Sequence, residues 1–267
     1  MRPSDTSEVP FSTTLTLVRG IFKKQVILML RYPLNLLSGL LTMYLFFLMI
    51  FYGGSTIAGE ALADNLEGII IGFFLWSMAW SAFADLTWNI TREAQWGTLE
   101  QLYMSVHRFE YVMLVKSYTN VVLSFLTGAL ILLLMLLTTR ETVHLDLITI
   151  VPIVLLGLSS ILGIGFIFGG LAIIYKRIEN VFQILSFGLV GLIAAPVSSV
   201  PVLRGLPLTQ SSYLLRQAMQ EGTRLWQFPV AELVILLGCA VGYLTIGVAF
   251  FGLAQRRARK LGVLGHY

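Results

Sequence analysis

Residues 130–137 read LILLLMLL, eight consecutive apolar side chains that would cover every face of a helix. A membrane β-strand alternates apolar and polar residues, and a surface helix of a soluble protein keeps one polar face, so neither matches this run. The run lies within a longer apolar segment from Tyr111 to about Leu137, which exceeds the roughly 20 residues that a helix needs to cross a bilayer. We therefore predict a membrane-spanning helix here.

Five other segments of the chain are long and apolar enough to span a membrane. They are Leu34–Tyr52, Ile69–Ile90, Ile148–Ile174, Val181 to about Leu203, and Ala231–Ala254. Short loops join the six predicted spans and leave no room for a separate soluble domain. We expect residues 1–33 to form an N-terminal segment, residues 34–254 a six-span domain and residues 255–267 a basic tail.

The composition of the whole chain agrees with a membrane protein. Of 267 residues, 57% are hydrophobic and 12% are charged, and the mean hydropathy is +0.82. A soluble domain has roughly 25% charged residues, and a disordered chain is poor in apolar ones, so both classes are excluded. Cys239 is the only cysteine, which excludes a disulfide scaffold, and the small net charge of +4 does not suggest nucleic acid.

The basic residues predict the orientation of the chain in the membrane. Of the 18 lysines and arginines, 14 lie on one side of the predicted spans, and Arg140, Arg204, Arg216 and Arg224 lie on the other. Because cytoplasmic loops carry the excess of basic residues, and an even number of spans leaves both termini on one side, we expect both termini in the cytoplasm. The expected location is the plasma or inner membrane.

The N-terminal segment carries an amphipathic pattern before the first span. Its apolar residues recur at three- and four-residue steps: Phe11, Leu15, Val18, Phe22, Val26 and Met29. Arg19, Lys23 and Lys24 fall largely elsewhere, which predicts a helix in the membrane interface or a generic membrane anchor. Pro33 should end this helix. Since 33 residues precede the first apolar run, we do not expect a cleaved signal peptide, although Ala61-Leu62-Ala63 resembles a cleavage site.

The loop between the second and third predicted spans contains a second amphipathic pattern. Residues 91–105 read TREAQWGTLEQLYMS, and Thr98 with Gln101 has the spacing of a capping box. Apolar side chains then follow at helical spacing: Leu99, Leu102, Tyr103 and Val106. This predicts a short cytoplasmic helix from Thr98 to Ser105, which either docks a partner or lies on the membrane.

Prolines interrupt the chain after the fifth predicted span. Pro196, Pro201 and Pro207 break the apolar run, and Ser211–Gln220 has the pattern of a short helix. Irregular backbone at membrane depth must be sheltered by protein. We therefore predict a broken fifth span followed by a re-entrant hairpin on the outer side.

The sequence carries no recognisable catalytic or nucleotide-binding motif. No phosphate loop of the form GxxxxGK[ST] occurs, and none of the five lysines follows a glycine. The three histidines lie in predicted loops or at the terminus, and no HExxH motif is present. We expect no catalytic residue, metal site or bound cofactor in this chain.

The second predicted span carries the candidate residues for a substrate path. Trp76, Trp80 and Phe83 follow one helix face, with Phe73 one turn before them. Such a stripe would stack against an amphipathic cargo, or it packs helices and anchors the span at the membrane boundary. Asp85 is the one clear acid within a span, and it is either a helix-contact residue or part of the path. Glycines four residues apart, at 165 and 169 and at 238 and 242, have the spacing of close helix contacts.

The sequence REAQWGTLEQLYMS at 92–105 resembles the cytoplasmic loop motif of ATP-binding-cassette type-2 exporter permeases. In that family a glutamate lies four residues before a Gly-Thr-Leu-Glu stretch, and the matching residues here are Glu93, Gly97, Thr98, Leu99, Glu100 and Leu102. The six spans, the basic N-terminal helix and the broken fifth span are also similar to the family. The resemblance implies a permease dimer, of two copies or of close paralogues, above two separate ATPase chains that bind Mg-ATP.

The resemblance also assigns roles to residues. It implies that the loop helix couples to the ATPase, through Glu93, Gly97, Thr98, Leu99, Glu100, Leu102 and Tyr103, with Lys176 and Arg177 as a second contact. It implies a substrate path at the dimer interface, for which the candidates are Phe73, Trp76, Trp80, Phe83 and Asp85. The drug-exporter branch is the most similar, so we expect a hydrophobic, amphipathic or lipid-linked cargo. The alternatives are a polysaccharide exporter, an ATP-independent transporter or channel, and a membrane scaffold.

Overall fold

The computed structural model describes residues 11–58, 65–95, 108–175 and 179–260, which are mostly helical and contain no strand. This confirms the predicted all-helical class. The α-helices within these ranges are α1 (Phe11–Arg31), α2 (Pro33–Ala58), α3 (Leu66–Gln95), α4 (Phe109–Thr139), α5 (Leu147–Tyr175), α6 (Glu179–Ile193), α7 (Thr209–Gln220) and α8 (Val230–Lys260). Short 3-10 helices occupy Pro201–Gly205 and Leu225–Gln227.

Five of these helices are long and apolar enough to cross a membrane, namely α2, α3, α4, α5 and α8. They correspond to the first, second, third, fourth and sixth predicted spans. Each begins slightly before the predicted span and ends after it, because polar residues at the ends of an apolar run continue the helix. These helices indicate a membrane-embedded protein.

The fifth predicted span is a shorter helix than the sequence suggested. Helix α6 has 15 residues, which corresponds to about 22 Å, whereas the hydrocarbon core of a bilayer is about 30 Å thick. It ends at Ile193, three residues before Pro196, since a proline has no N–H and disfavours the helical conformation of the residue before it. The count of six spans therefore stays a prediction.

Helix α1 forms where the amphipathic pattern predicted a helix, and Tyr32 separates it from α2, which begins at Pro33. Leu15, Val18 and Phe22 are exposed, so their apolar face is not covered by the rest of the described chain. Gln25 Nε2 donates to Asn120 Oδ1 at 2.8 Å and ties α1 to α4. The position of α1 in the membrane interface stays a prediction.

Helices α5 and α8 run parallel and meet backbone to backbone. A Cβ at Gly163 would overlap the carbonyl group of Tyr243, and a Cβ at Gly247 would overlap the carbonyl group of Gly163. Only glycine at both positions permits this approach. The pair predicted from spacing on α8 is wrong for contacts within the described chain, because Gly238 and Gly242 face open space.

Helix α7 docks on α5 and confirms the predicted short helix, which begins two residues earlier than expected. Its apolar residues Leu214 and Leu215 are fully buried. Ser211 lies directly over Gly157 of α5, where a Cβ would overlap the serine side chain. The Leu208 N–H donates to Ser160 Oγ at 3.2 Å, although Leu208 has φ 64°, a conformation that is costly for a bulky residue.

A polar network joins the segment before α7 to α8. Arg204 Nη1 forms an ion pair with Glu232 Oε1, and Gln210 Nε2 donates to Glu232 Oε2. The Arg204 guanidinium also lies 5.5 Å from the ring centroid of Tyr213. The Glu232 carboxylate of α8 thus contacts both the 3-10 helix at Pro201–Gly205 and α7. The re-entrant position of this hairpin in a membrane stays a prediction.

Candidate functional site

Three of the predicted substrate-path residues form a row of touching rings on α3. The ring centroids of Phe73 and Trp76 lie 5.3 Å apart, and those of Trp76 and Trp80 lie 5.7 Å apart. Phe46 of α2 packs against Trp76 at 5.5 Å and against Phe73 at 6.2 Å. The row therefore fastens α2 to α3 through aromatic contacts.

Phe83 is separate from that row. It is 1% exposed, and its ring lies 6.2 Å from Phe168 of α5 and 5.7 Å from Phe182 of α6. These contacts favour the packing interpretation for Phe83. Asp85 lies two residues further along α3, and its side chain is outside the described part of the structure.

Phe73 and Trp76 line a cavity of about 370 Å³ between α2, α3, α6 and α7, which we call the aromatic cavity. Its other walls include Phe46, Gly68, Gly72 and Arg216. Gly68, Gly72 and Trp76 are each one helical turn apart on α3, so the two glycines remove side chains from one face and leave room beside the indole. The volume is within the range of small-molecule sites, which is roughly 300–1,000 Å³.

Arg216 brings a positive charge to this largely apolar cavity, which Asn65 also lines. Its Nη2 donates to the Ile193 carbonyl at 3.3 Å, and its Nε is buried without a hydrogen-bond acceptor among the described residues. In the sequence, Arg216 stands out only as a basic residue on the predicted outer side. The sequence did contain a sign that Arg216 would be partly buried. It lies between Leu215 and Ala218 on a helix whose apolar face is buried.

Trp80 faces a different space, a groove of about 450 Å³ between α2, α3 and α4 that we call the serine groove. Ser77, Ser81 and Ser124 contribute hydroxyl groups to it. Ser81 and Ser124 share a hydrogen bond of 2.8 Å, and Ser77 donates to the Phe74 carbonyl of its own helix at 2.8 Å. These hydroxyls are satisfied within the protein, and the Ser81–Ser124 pair connects α3 to α4.

Contacts between helices bring one set of helix ends together. Phe83, late in α3, contacts Phe182 at the start of α6, and a Cβ at Gly165 of α5 would lie 3.2 Å from Leu86. At the start of α4, Phe109 stacks on Phe251 of α8 at 5.8 Å. The C-terminal ends of α3, α5 and α8 and the N-terminal ends of α4 and α6 therefore lie at one end of the bundle, which we call the loop end.

The predicted ATPase-coupling residues belong to segments that these ends flank. Gly97, Thr98, Leu99, Glu100, Leu102, Tyr103, Lys176 and Arg177 lie outside the described residues. Glu93 lies in the last turn of α3, and its side chain is also outside the description. The roles assigned to them stay predictions.

A third cavity, of about 720 Å³, lies near the loop end between α1, α4 and α8. Arg108, Glu110 and Arg256 line it. Arg108 Nε lies 3.8 Å from Glu110 Oε2, but the arginine side chain is 79% exposed, so solvent screens this pair. Arg108 and Arg256 are exposed and Glu110 is half-buried, so this group of charges is largely solvated and does not define a site.

The architecture is that of an all-helical, membrane-embedded protein. No protein-family model, no curated protein and no solved structure matches the chain. Its function is therefore argued from the loop motif and from the geometry of the cavities.

Proposed function

We propose that this chain is the permease subunit of an ATP-driven exporter, with ATP hydrolysed by a separate ATPase subunit. The observation that carries the proposal is the sequence REAQWGTLEQLYMS at 92–105, which resembles the coupling loop of type-2 exporter permeases. The chain has no phosphate loop of its own, so an energy source must come from a partner.

The packing of the loop end supports a coupling role. Helix α3 leads into the motif, and α4 begins after it at Phe109. The Ser81–Ser124 hydrogen bond and the contact between Phe74 and Phe125, at 6.3 Å, join α3 to α4 near the middle of both helices. A force applied to the connecting segment would therefore move both helices together, and α3 carries the wall of the aromatic cavity.

The aromatic cavity is the proposed cargo site. Phe46, Phe73 and Trp76 supply flat apolar surfaces, which suit a hydrophobic or amphipathic compound. Its position between α2, α3 and α6 uses the first, second and fifth predicted spans, from which the family builds its path. A sugar polymer is the alternative cargo, because stacked aromatic rings also bind sugars.

Exposed apolar surface supports a permease dimer, of two copies or of close paralogues. Only 6% of the apolar segment of α2 is buried within the chain, and Leu41 and Leu45 are more than half exposed. On α6, Ile184 and Phe187 are also more than half exposed. We expect part of this surface to contact the second permease and the rest to contact lipid.

The coupling assignment can be tested by co-purification. Deletion of residues 98–105 from the tagged full-length chain should abolish recovery of an ATPase from detergent-solubilised source membranes. Leu99→Asp and Leu102→Asp, on the predicted apolar face, should each reduce recovery strongly. The readout is mass-spectrometric identification of a chain that contains a phosphate loop, together with ATP hydrolysis by the eluate.

Met104→Ala is the matched control, since Met104 lies about 140° around the predicted helix from Leu99 and about 160° from Leu102. It should leave the recovery of the ATPase unchanged. Equal recovery with the deletion variant would remove the coupling role. Absence of any ATPase with the unaltered chain would favour an ATP-independent transporter or a scaffold.

The dimer is tested by cysteine cross-linking in a Cys239→Ser background. Ile184→Cys on α6 should form a cross-linked dimer in native membranes. Leu133→Cys on α4, which is also exposed, is the control for random collision. Equal cross-linking at the two positions would contradict an interface at α6.

A further inference from the structure

Arg216 is a cation without an anionic partner in the described part of the chain. The ion pairs found there are Arg204 with Glu232 and Arg108 with Glu110, and Arg216 belongs to neither. Its Nε is buried and has no acceptor within the described ranges. The Arg216 side chain is partly buried, and a partly buried charge without a counter-ion favours the binding of an anion.

Helix capping accounts for only part of this arginine. The Ile193 carbonyl at the end of α6 accepts hydrogen bonds from Ser212 Oγ at 2.8 Å and from Arg216 Nη2 at 3.3 Å. A cation at the C-terminal end of a helix is favourable, but the cap uses only Nη2 of the guanidinium. The Arg216 Nε–H takes no part in it and has no acceptor among the described residues.

Trp76 supplies a second donor without an acceptor at the same cavity. The residue is 7% exposed, and its indole Nε1 is buried with no hydrogen-bond partner among the described residues. Buried indole N–H groups usually find an acceptor. Two residues that line one cavity thus each carry an unsatisfied donor, and this favours a ligand rich in acceptor oxygens.

The rest of the wall defines the other half of the ligand. Phe46 and Phe73 pack beside Trp76, and Gly72 keeps the space next to the guanidinium open, because a Cβ there would lie 3.8 Å from Arg216 Nη2. The cavity therefore has one cationic corner and, apart from Asn65, apolar walls. A free inorganic anion would leave those walls uncovered, and a neutral hydrocarbon would leave both donors unpaired.

We propose that the aromatic cavity binds an amphipathic anion, with a phosphate or carboxylate group at Arg216 and Trp76 and an apolar portion against Phe46 and Phe73. The role of this anion as the exported cargo rests on the proposed function. Its binding in the aromatic cavity does not. An acidic membrane lipid has the same chemistry and is the other source of the ligand.

The binding test uses the full-length chain in a neutral detergent and three probes with the same tail. Dodecyl phosphate should bind saturably and raise the thermal unfolding temperature, whereas dodecanol and dodecyltrimethylammonium should have little effect. Inorganic phosphate alone should bind much more weakly than dodecyl phosphate. Equal effects of all three amphiphiles would overturn the proposal, because headgroup charge would then be irrelevant.

Variants assign the binding to the cavity. Arg216→Gln should weaken dodecyl phosphate binding about tenfold or more, and Trp76→Phe should weaken it several-fold. Ser212→Ala is the matched control, since it removes the other donor to Ile193 and keeps the charge. Unchanged binding in Arg216→Gln, or an equal loss in Ser212→Ala, would overturn the assignment.

Two further variants keep the test decisive. If Arg216→Gln does not fold, Gly72→Leu fills the cavity without altering charge and should also abolish binding.

Glu60 and Asp64 lie outside the described residues, and they are the nearest acids before Asn65 of the cavity wall. Binding seen only in Glu60→Gln/Asp64→Asn, and not in the unaltered chain, would identify the protein's own acids as partners of Arg216 and overturn the proposal.

The source of the anion is resolved in nanodiscs. Native mass spectrometry compares the unaltered chain and Arg216→Gln in phosphatidylcholine discs with and without phosphatidylglycerol. Arg216-dependent retention of phosphatidylglycerol supports the site with a bilayer lipid as ligand, and dodecyl phosphate binding without such retention supports it with a cargo. The ATPase is absent from these assays, so failure of the exporter proposal would appear in the co-purification test and not here.

Discussion

The seam between α5 and α8 and the aromatic cavity beside α3 both depend on glycines, with opposite results. At Gly163 and Gly247 the missing side chains are replaced by the backbone of the neighbouring helix, so two helices touch directly. At Gly68 and Gly72 an added Cβ would meet atoms only at 3.6–3.8 Å, and the space beside them stays open. A glycine on an apolar helix therefore permits either direct contact with a neighbouring helix or an open cavity. Which of the two forms depends on the atoms that face the glycine.

The largest effect is expected at the α5–α8 seam. Gly163→Ala or Gly247→Ala places a methyl group into backbone, which cannot rotate away, so the helices must separate. We expect a destabilisation of about 3 kcal/mol or more, at or beyond the upper end of the range for overpacked sites. Thermal unfolding of the purified chain in mild detergent, together with its yield, measures this.

Gly238→Ala and Gly242→Ala provide the control on α8 itself. Both glycines face open space, so alanine should be neutral or slightly favourable through its higher helix propensity. Equal losses at all four positions would mean that α8 is sensitive to any added methyl group. The direct backbone contact would then not be the cause.

The next largest effect is expected where α7 docks on α5. Gly157→Ala would overlap the Ser211 side chain, and we expect a loss of about 1–3 kcal/mol. Ser211→Gly should restore much of the stability in the double variant, because it removes the obstructing atoms. A double-mutant cycle measured by thermal unfolding gives the coupling energy, and additive losses would contradict the docking geometry.

A smaller effect is expected at the network that joins the hairpin to α8. Glu232→Gln removes the charge that pairs with the half-buried Arg204 and weakens the acceptor of the buried Gln210, and it should cost roughly 1–2 kcal/mol. Glu221→Gln changes an exposed acid at the end of α7 and serves as the control. Equal unfolding temperatures for the two variants would show that the network does not stabilise the hairpin.

The smallest effect is expected at the aromatic cavity. Gly68→Ala and Gly72→Ala bring a methyl group to ordinary van der Waals distance, so unfolding should change by no more than about 0.5–1 kcal/mol. The same measurement as for the seam applies. A loss as large as that at Gly163 would mean that the cavity is closed in solution.

The long apolar helices were predictable from the sequence. For α4 and α5 the predicted and observed bounds differ by at most two residues, because polar residues flank a continuous apolar run at both ends. The same holds for α7, whose buried Leu214 and Leu215 follow a clear amphipathic pattern. The composition of a single segment determines such a helix, because the helix forms according to how that segment's own side chains partition between water and an apolar environment.

Other features depend on contacts with residues that are distant in the sequence, and a local pattern does not show these contacts. Spacing alone singled out Gly238 and Gly242, while the seam forms at Gly163 and Gly247, which are far apart in the chain. Phe83 followed the same stripe as Trp76, but it packs against Phe168 and Phe182 on other helices. Arg216 gains its importance from a cavity whose walls come from four helices, so its burial was not visible in sequence.

The parallel seam also has a consequence for how the protein is made. Helix α5 leaves the ribosome well before α8, and at roughly 5–20 residues per second the delay lasts several seconds. During that interval the glycine face of α5 has no backbone to meet and must be covered by lipid or by the insertion machinery. A pause in synthesis before α8 would therefore prolong an exposed intermediate, which makes the yield of folded protein sensitive to translation speed in this part of the message.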